Sequence, residues 1–307
     1  MATTMTHNEL ARLFADEDAA REHLEKLRWA NGIVCPHCGV KDQATKLEPR
    51  EDSKRPVRKG VYKCRACRKQ FTVTVGTIFH RSHIPLNVWL HVFHLVCSSK
   101  KGMSAHQIHR MTGITYKSAW FMVHRIREAM TPNAPEAKLT GTIEVDETYV
   151  GGKLQSGKGS GHANKTPVVL VVQRDGESRA TRMDDVKGDT VKDYIYKHVD
   201  DNAIINTDSY RIYRNLGAEY AGHFTVDHTK KEYARNGVHV NTAESWFSLL
   251  KRGVIGTFHH VSPKHLDRYA QEFAFRWNYR KVNDYERTIA AIRVVGGKRL
   301  MYKHLIE

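Results

Sequence analysis

The sequence predicts an α/β protein: a mixed sheet with helices on both faces, preceded by a small cysteine module and a helical region. Three observations carry this reading. From about residue 140 the apolar pattern runs β-β-β-α-β-α-β-α. Two Cys-x-x-Cys pairs lie upstream, at 35–38 and 64–67. Between them and the sheet, apolar residues recur at helical spacing over 85–130.

The elements follow in order. Residues 7–30 read as one helix with Asn8 or Asp16 as cap and with Leu10, Leu13, Phe14, Leu24, Leu27 and Trp29 as its apolar set. A cysteine module follows, then a helix after Pro85. TIEVDETYV reads as a strand, and PVVLVVQRDGESRATRM as a hairpin turning at Asp175-Gly176. GDTVKDYIYKHV reads as helix, AIINTD as strand, YRIYRNLG as helix, HFTVDH as strand, and the remainder as mostly helical. Three antiparallel strands leading into alternating helices and strands describe a mixed sheet covered on both sides. The ribonuclease H-like nucleases and integrases use that plan.

Charge narrows the function. The 307 residues hold 49 Lys and Arg against 33 Asp and Glu, a formal net charge of +16. Such a balance points to nucleic acid before an anionic membrane. No apolar run approaches the ~20 residues of a spanning helix. The N-terminus lacks the basic and then apolar segments of a signal peptide, so a soluble intracellular protein is expected.

Four of the five cysteines form the two Cys-x-x-Cys knuckles, Cys35-Pro-His-Cys38 and Cys64-Arg-Ala-Cys67, with 25 residues between them. Two knuckles complete a tetrahedral four-cysteine zinc site, and such a closed site is structural. Gly39 suits the tight turn after the first knuckle, and QFTVTVGTIF after the second suits ribbon strands. His37 and His80 are nearby, but four thiolates already close the site. The run Lys54–Lys69 carries eight Lys and Arg and no acid, so Lys54, Arg55, Arg58 and Lys59 are candidate phosphate contacts.

GMSAHQIHRMTGITYKSAWFMVHRIREAM holds two helical segments around Thr112-Gly113. It is a candidate helix-turn-helix, although an ordinary helical hairpin has the same pattern. As a DNA reader its second helix would present Thr115, Tyr116 and Lys117 near base edges, with Arg125 among the residues decorating it.

Three acids are the candidate chemistry. Asp146 lies on a strand where, by period two, Thr142, Glu144, Asp146 and Thr148 share a face. Asp208 closes AIINTD, at the carboxyl end of a strand, where clefts form in open α/β sheets. Glu244 lies on the helix TAESWFSLLKRG, with 35 residues between it and Asp208. Lys251 follows at i+7 and returns to within about 20° of the Glu244 face, which Asn241 also shares. Carboxylates so arranged can hold two Mg²⁺ ions for in-line displacement at a phosphodiester, with the lysine on the phosphate. Glu144, Glu147, Asp201 and Asp227 compete for the same role.

At these motifs the chain resembles insertion-sequence transposases of bacteria that join a zinc ribbon to a DDE-type, ribonuclease H-like core. The segments that carry the resemblance are CPHCG, YKCRACRKQFTVTVGTIFH, EVDETYVGGK, NTDSYRIY and NTAESWFSLLKRGVIGTFHHVSPKHLDRYAQEFAFRWNYR. It implies a zinc ribbon over 31–84, a helical, helix-turn-helix-like region over 85–132 and a ribonuclease H-like catalytic domain over 140–290. A helical segment at 1–30 and a tail at 291–307 flank them. It further implies Asp146 and Asp208 as the first two catalytic acids, Glu244 or Asn241 as the third, and Lys251 behind it. The implied cofactors are structural Zn²⁺ and two catalytic Mg²⁺ or Mn²⁺ ions. The implied partner is double-stranded DNA, as terminal inverted repeats and target, bound by at least a dimer in the cytoplasm and nucleoid. Cleavage by activated water, then attack of the freed 3′-OH on target DNA, is the implied reaction. Two alternatives share these motifs: a zinc-ribbon regulator or domesticated copy without catalysis, and a nuclease of this fold without strand transfer.

Overall fold

The computed structural model describes residues 5–49, 56–132, 137–152, 164–214, 216, 219–227, 230, 232 and 234–307. They fall into two compact units. The first takes residues up to 99, 105–133 and 282–307; the second takes 100–104 and 134–281.

The first unit opens with α1 (His7–Leu13) and α2 (Glu17–Arg28), not the single helix expected over 7–30. The break has a local cause. Asp16 takes an extended conformation and its carboxylate accepts from the Ala19 amide, capping a new helix, while Thr6 and Glu9 form a capping box on the first. A three-stranded antiparallel sheet follows: β1 (Ala44–Lys46), β2 (Tyr62–Cys64) and β3 (Gln70–Phe71). Its small core is Cys35, Tyr62, Cys64 and Phe71, with Trp29 packed edge-on to Tyr62. The strands expected through QFTVTVGTIF stop at Phe71. Thr77 donates its hydroxyl to the Thr74 carbonyl and the Thr72 and Thr74 hydroxyls pair, so side chains bind local groups and turns replace a ladder.

Beyond it stand α3 (Leu86–Ser98), α4 (Ala105–Thr112) and α5 (Tyr116–Met130), then α9 (Asp284–Arg293) and α10 (Lys303–Ile306). Leu86, Trp89, Leu90, Phe93 and Cys97 give α3 a continuous buried stripe. Helix α9 packs on α3 and α2. Residues 282–290, grouped from sequence with the sheet, thus lie in the first unit.

The second unit is built on a five-stranded mixed sheet. Its strands are β4 (Thr142–Gly151), β5 (Lys165–Gln173), β6 (Ser178–Arg182), β7 (Ile204–Asp208) and β8 (Gly222–Val226), in the order β6-β5-β4-β7-β8. β6, β5 and β4 pair antiparallel; β4 pairs parallel with β7, and β7 with β8. This is the mixed sheet of a ribonuclease H-like core. Strand β5 shows why helices lie on both sides. Its run Val168–Val172 is wholly buried, as for a strand covered on both faces. Val168, Leu170 and Val172 pack with α7 (Asn241–Gly253) and α8 (Pro263–Asn278). Val169 and Val171 pack on the other face with Val191 and Ile195 of α6 (Gly188–His198). Among the described residues of YRIYRNLG, the expected helix is represented by one 3-10 turn, Arg211–Tyr213, whose last side chain is buried in the α6-side core.

Candidate functional site

Strand alternation sorts the acids of EVDET. Ile143 and Val145 enter the core on the α6 side, and Val150 enters the core on the α7 side. Glu144 and Asp146 therefore face α7, and Glu147 faces the other way. The contacts agree: Glu144 meets the first turn of α7, while Glu147 accepts a 2.5 Å hydrogen bond from the Tyr213 hydroxyl. The parallel ladder pairs Thr142 with Ile204 and Glu144 with Asn206. Two residues further along that register, Asp146 comes level with Asp208.

Electrostatics ties the group together. Burial first, then the negative charges of Glu147, Asp208 and Glu244, push the Asp146 carboxyl up to about 8. Burial also raises Glu147 above the usual range; the Tyr213 hydrogen bond holds it back, and the Asp208 charge adds to the rise. Asp146 accepts from the Glu147 amide at 2.8 Å, and Asp208 from the Tyr210 amide at 3.0 Å. Asp146, Glu147 and Asp208 are half-buried; Glu244, Asn241 and Lys251 are exposed along α7. A groove of about 410 Å³ beside that helix is lined by Asn241, Glu244, Ser248, Arg252 and Trp277, among others. Such a set, carboxylates crowded against their own repulsion beside an open groove, has the chemistry of a site for a hard divalent cation. The other acids weighed from sequence lie elsewhere: Asp201 pairs with Lys138, and Asp227 with Lys230.

The cysteines assemble a second centre. Cys35, Cys38, Cys64 and Cys67 bring their sulfurs within 4.8 Å of one another, the one group of metal-ligating side chains that closes this tightly among the described residues. Cys35–Cys67 and Cys38–Cys64 are 3.7 and 3.8 Å apart. A zinc–sulfur distance of about 2.3 Å gives a tetrahedron with edges of about 3.8 Å, so the donors fit Zn²⁺. Both knuckles bend through a left-handed residue, Gly39 at φ +73° and Arg68 at φ +60°. His37 is turned away, its Nε2 3.2 Å from the Gln70 carbonyl oxygen.

The candidate DNA contacts divide. Thr115 caps α5 by accepting from the Ser118 amide, and Thr115, Tyr116 and Lys117 are exposed at that helix start. Gly113, at φ +72°, makes the turn between α4 and α5. Arg58 and Lys59 are exposed, and Lys59 pairs with Asp18 at 2.6 Å. Lys54 and Arg55 lie outside the described residues. Arg125 corrects its expectation: it is buried, donates to the His80 carbonyl at 2.7 Å and stacks on Trp89 and Phe121. Its guanidinium holds the helices together and has no open face for a phosphate.

Three partners of the site escaped the sequence reading. Glu144 is one of several competing acids there, Tyr213 closes the segment NTDSYRIY without a role of its own, and Arg174 belongs to no motif. One signal was available: α7 begins after Val240, a residue that cannot cap it, so its first amides need an acceptor from elsewhere.

Residues 15–70 match the transposase zinc-ribbon domain, and residues 138–278 match the ISXO2-like transposase domain. An uncharacterized protein in transposable element ISH50 of Halobacterium salinarum is 28% identical over 285 residues, 86% of this chain and 92% of that protein. Among solved structures, a chain from the simian T-cell lymphotropic virus intasome in complex with PP2A regulatory subunit B56 gamma aligns over 60% of this chain and 74% of its own. Identity there is 13% and the TM-score 0.32, a likeness too slight to carry an argument.

Proposed function

The chain belongs to the transposases that join a zinc ribbon to an ISXO2-like domain, and we propose that it cuts and joins DNA at the acid cluster of that domain. The observation that carries the proposal is the crowding at Asp146, whose carboxyl is pushed up to about 8 by burial and by Glu147, Asp208 and Glu244. A cluster that repels itself this strongly is complementary to positive charge brought from outside. Asp146 and Asp208, level on adjacent strands, would hold Mg²⁺ or Mn²⁺ with Glu244 as third ligand. Divalent ions bound there supply the charge that activates an attacking oxygen and stabilises a leaving one at a phosphodiester.

The chain's own groups do the rest. Glu244 is preferred to Asn241 as third ligand because its charge reaches Asp146, and a carboxylate binds a hard cation better than an amide. Lys251, exposed on the same helix face, neutralises the DNA phosphate. Asp146 and Asp208 need no covalent bond to DNA, since positioning and charge carry both cleavage and strand transfer. The ribbon, folded around Zn²⁺, and Thr115, Tyr116 and Lys117 on α5 grip the terminal inverted repeats of the element. Two ends must be held at once, so the working form is at least a dimer on DNA, in the cytoplasm and nucleoid.

The test is Mg²⁺-dependent nicking and joining of labelled element ends. Asp146→Asn and Asp208→Asn should each lose cleavage by at least about a thousandfold and bind the ends normally. Retained cleavage by either variant would sink the site. Cleavage without joining by the unmodified protein would favour a nuclease, and end binding without cleavage a regulator.

A further inference from the structure

Glu144 lies two residues before Asp146 on the same face of β4, and its side chain is fully buried. A carboxylate there is costly unless every oxygen is occupied. Here both are. Oε2 accepts from the Thr242 and Ala243 amides at 2.7 and 3.1 Å. Oε1 accepts from the Thr242 hydroxyl at 2.9 Å and from Arg174 Nε at 2.7 Å, with His239 Nδ1 at 3.2 Å. Thr242 and Ala243 are the second and third residues of α7, whose preceding residue, Val240, offers no side-chain cap. Glu144 therefore caps a helix that begins almost a hundred residues later. Its charge also complements the positive end of that helix.

Arg174 completes the arrangement. Its two terminal nitrogens, Nη1 and Nη2, donate to the Gly237 and His239 carbonyls at 2.8 and 3.0 Å, fixing the segment that leads into α7. One carboxylate thus joins β4, the end of β5, the approach to α7 and the first turn of α7. Two residues along the strand from it stands Asp146. Two residues along the helix from Thr242 stands Glu244, whose amide makes the first intrahelical bond to Val240 at 3.0 Å.

We propose that Glu144 is the positioning residue of the acid site: by capping α7 from the strand that carries Asp146, it fixes Glu244 relative to Asp146 and so sets the affinity for divalent metal. This rests on the reading that Asp146 and Glu244 hold the metal. Glu144 itself has no lone pair left for a cation. Its influence passes through helix placement, as outer partners of metal ligands commonly act.

The test measures metal binding without catalysis. Mn²⁺ is titrated into the full-length, zinc-loaded protein, following the metal-induced rise in Tm and the Mn²⁺ electron paramagnetic resonance signal. Glu144→Gln keeps the shape but replaces an acceptor oxygen with a donor amide. It should raise the half-saturating Mn²⁺ concentration about tenfold or more. Ile195→Ala, a core truncation on the opposite sheet face, should lower Tm and leave the Mn²⁺ midpoint unchanged. In a Glu244→Gln background, Glu144→Gln should add little further loss, because both act through one ligand. Wild-type Mn²⁺ affinity in Glu144→Gln, or full additivity with Glu244→Gln, would overturn the proposal. Normal Mn²⁺ binding by Asp146→Asn and Glu244→Gln would instead overturn the metal-site reading beneath it.

Discussion

Tyr213 donates its hydroxyl to Glu147 at 2.5 Å, on the face of the sheet opposite Asp146. Tyr213 is buried, and burial and the Glu147 charge keep its hydroxyl protonated far above its ordinary range. Tyr213→Phe should therefore leave a half-buried carboxylate short of a donor. The expected cost is about 1–3 kcal/mol in urea unfolding, with Glu147 titrating at still higher pH. An unchanged unfolding midpoint would show that this hydrogen bond is replaced by water.

Asp146 should make the metal-free protein more stable in acid than at neutral pH. Its folded value of about 8 lies above the ordinary 3.8, so the folded state holds the extra proton between these limits. That stabilisation is complete below about pH 4 and lost as pH rises through about 8. Asp146→Asn removes the repulsion and should raise the Tm of the metal-free protein at pH 8 by several degrees. It should also abolish the Tm rise that Mn²⁺ gives the unmodified protein. Calorimetry with and without Mn²⁺ reads both effects.

His198 should act in the opposite direction. Burial, then the charges of Arg179 and Lys197, bring it down to about 4 from 6.5. Arg179 Nη1 lies 3.2 Å from His198 Nδ1, an arrangement that requires a neutral ring. Its contribution is complete above pH 6.5 and lost as pH falls towards 4, about 1–2 kcal/mol after discounting for its partial exposure. His198→Asn keeps an acceptor for Arg179 and should flatten the acid limb of the stability curve over that window.

Two cations on α5 should separate binding from folding. Lys117→Ala should weaken end binding and reduce its salt slope by about one, with Tm only slightly lowered, because its exposed ammonium lies 4.6 Å from the centre of the Tyr302 ring. Arg125→Ala should instead cost about 2–4 kcal/mol of stability, because it leaves Trp89, Phe121 and the His80 carbonyl without their partner. A salt slope altered by Arg125→Ala in protein that melts normally would contradict its buried role.

Zinc removal should dismantle the ribbon. Four sulfurs 3.7–3.8 Å apart in pairs have few other partners, and a core of four residues cannot hold three short strands unaided. Stripping the metal, or Cys35→Ser with Cys38→Ser, should expose residues 33–49 and 56–71 to protease and release about one zinc per chain. A protease-resistant ribbon after complete metal loss would contradict this.

Much of this architecture could be read before any coordinate. Period-two alternation in TIEVDETYV put Glu144 and Asp146 on one face, and the Asp175-Gly176 turn marked the β5–β6 hairpin. Cysteine spacing alone marked the four-sulfur cluster. What stayed hidden depends on long-range contact. The threonines of QFTVTVGTIF have strand propensity, yet the Thr72 and Thr74 hydroxyls pair with each other and the Thr77 hydroxyl binds the Thr74 carbonyl. Arg125 looks like a surface cation by composition and is buried by the packing of α3 and α5. Glu144 looks like one spare acid among several until the uncapped start of α7 is brought beside it.

Strand β4 places Asp146 and Glu147 on opposite faces of one sheet, each with its own set of neighbours, and only their order in the chain decides which is which. A single codon gained or lost between Thr142 and Glu144 would exchange them. Glu147 would turn towards α7, Asp146 towards Tyr213, and the carboxylate that caps α7 would leave its place. Length in this stretch is therefore held by parity: whatever is gained or lost upstream of Glu144 has to come in even numbers for the acids to keep their faces.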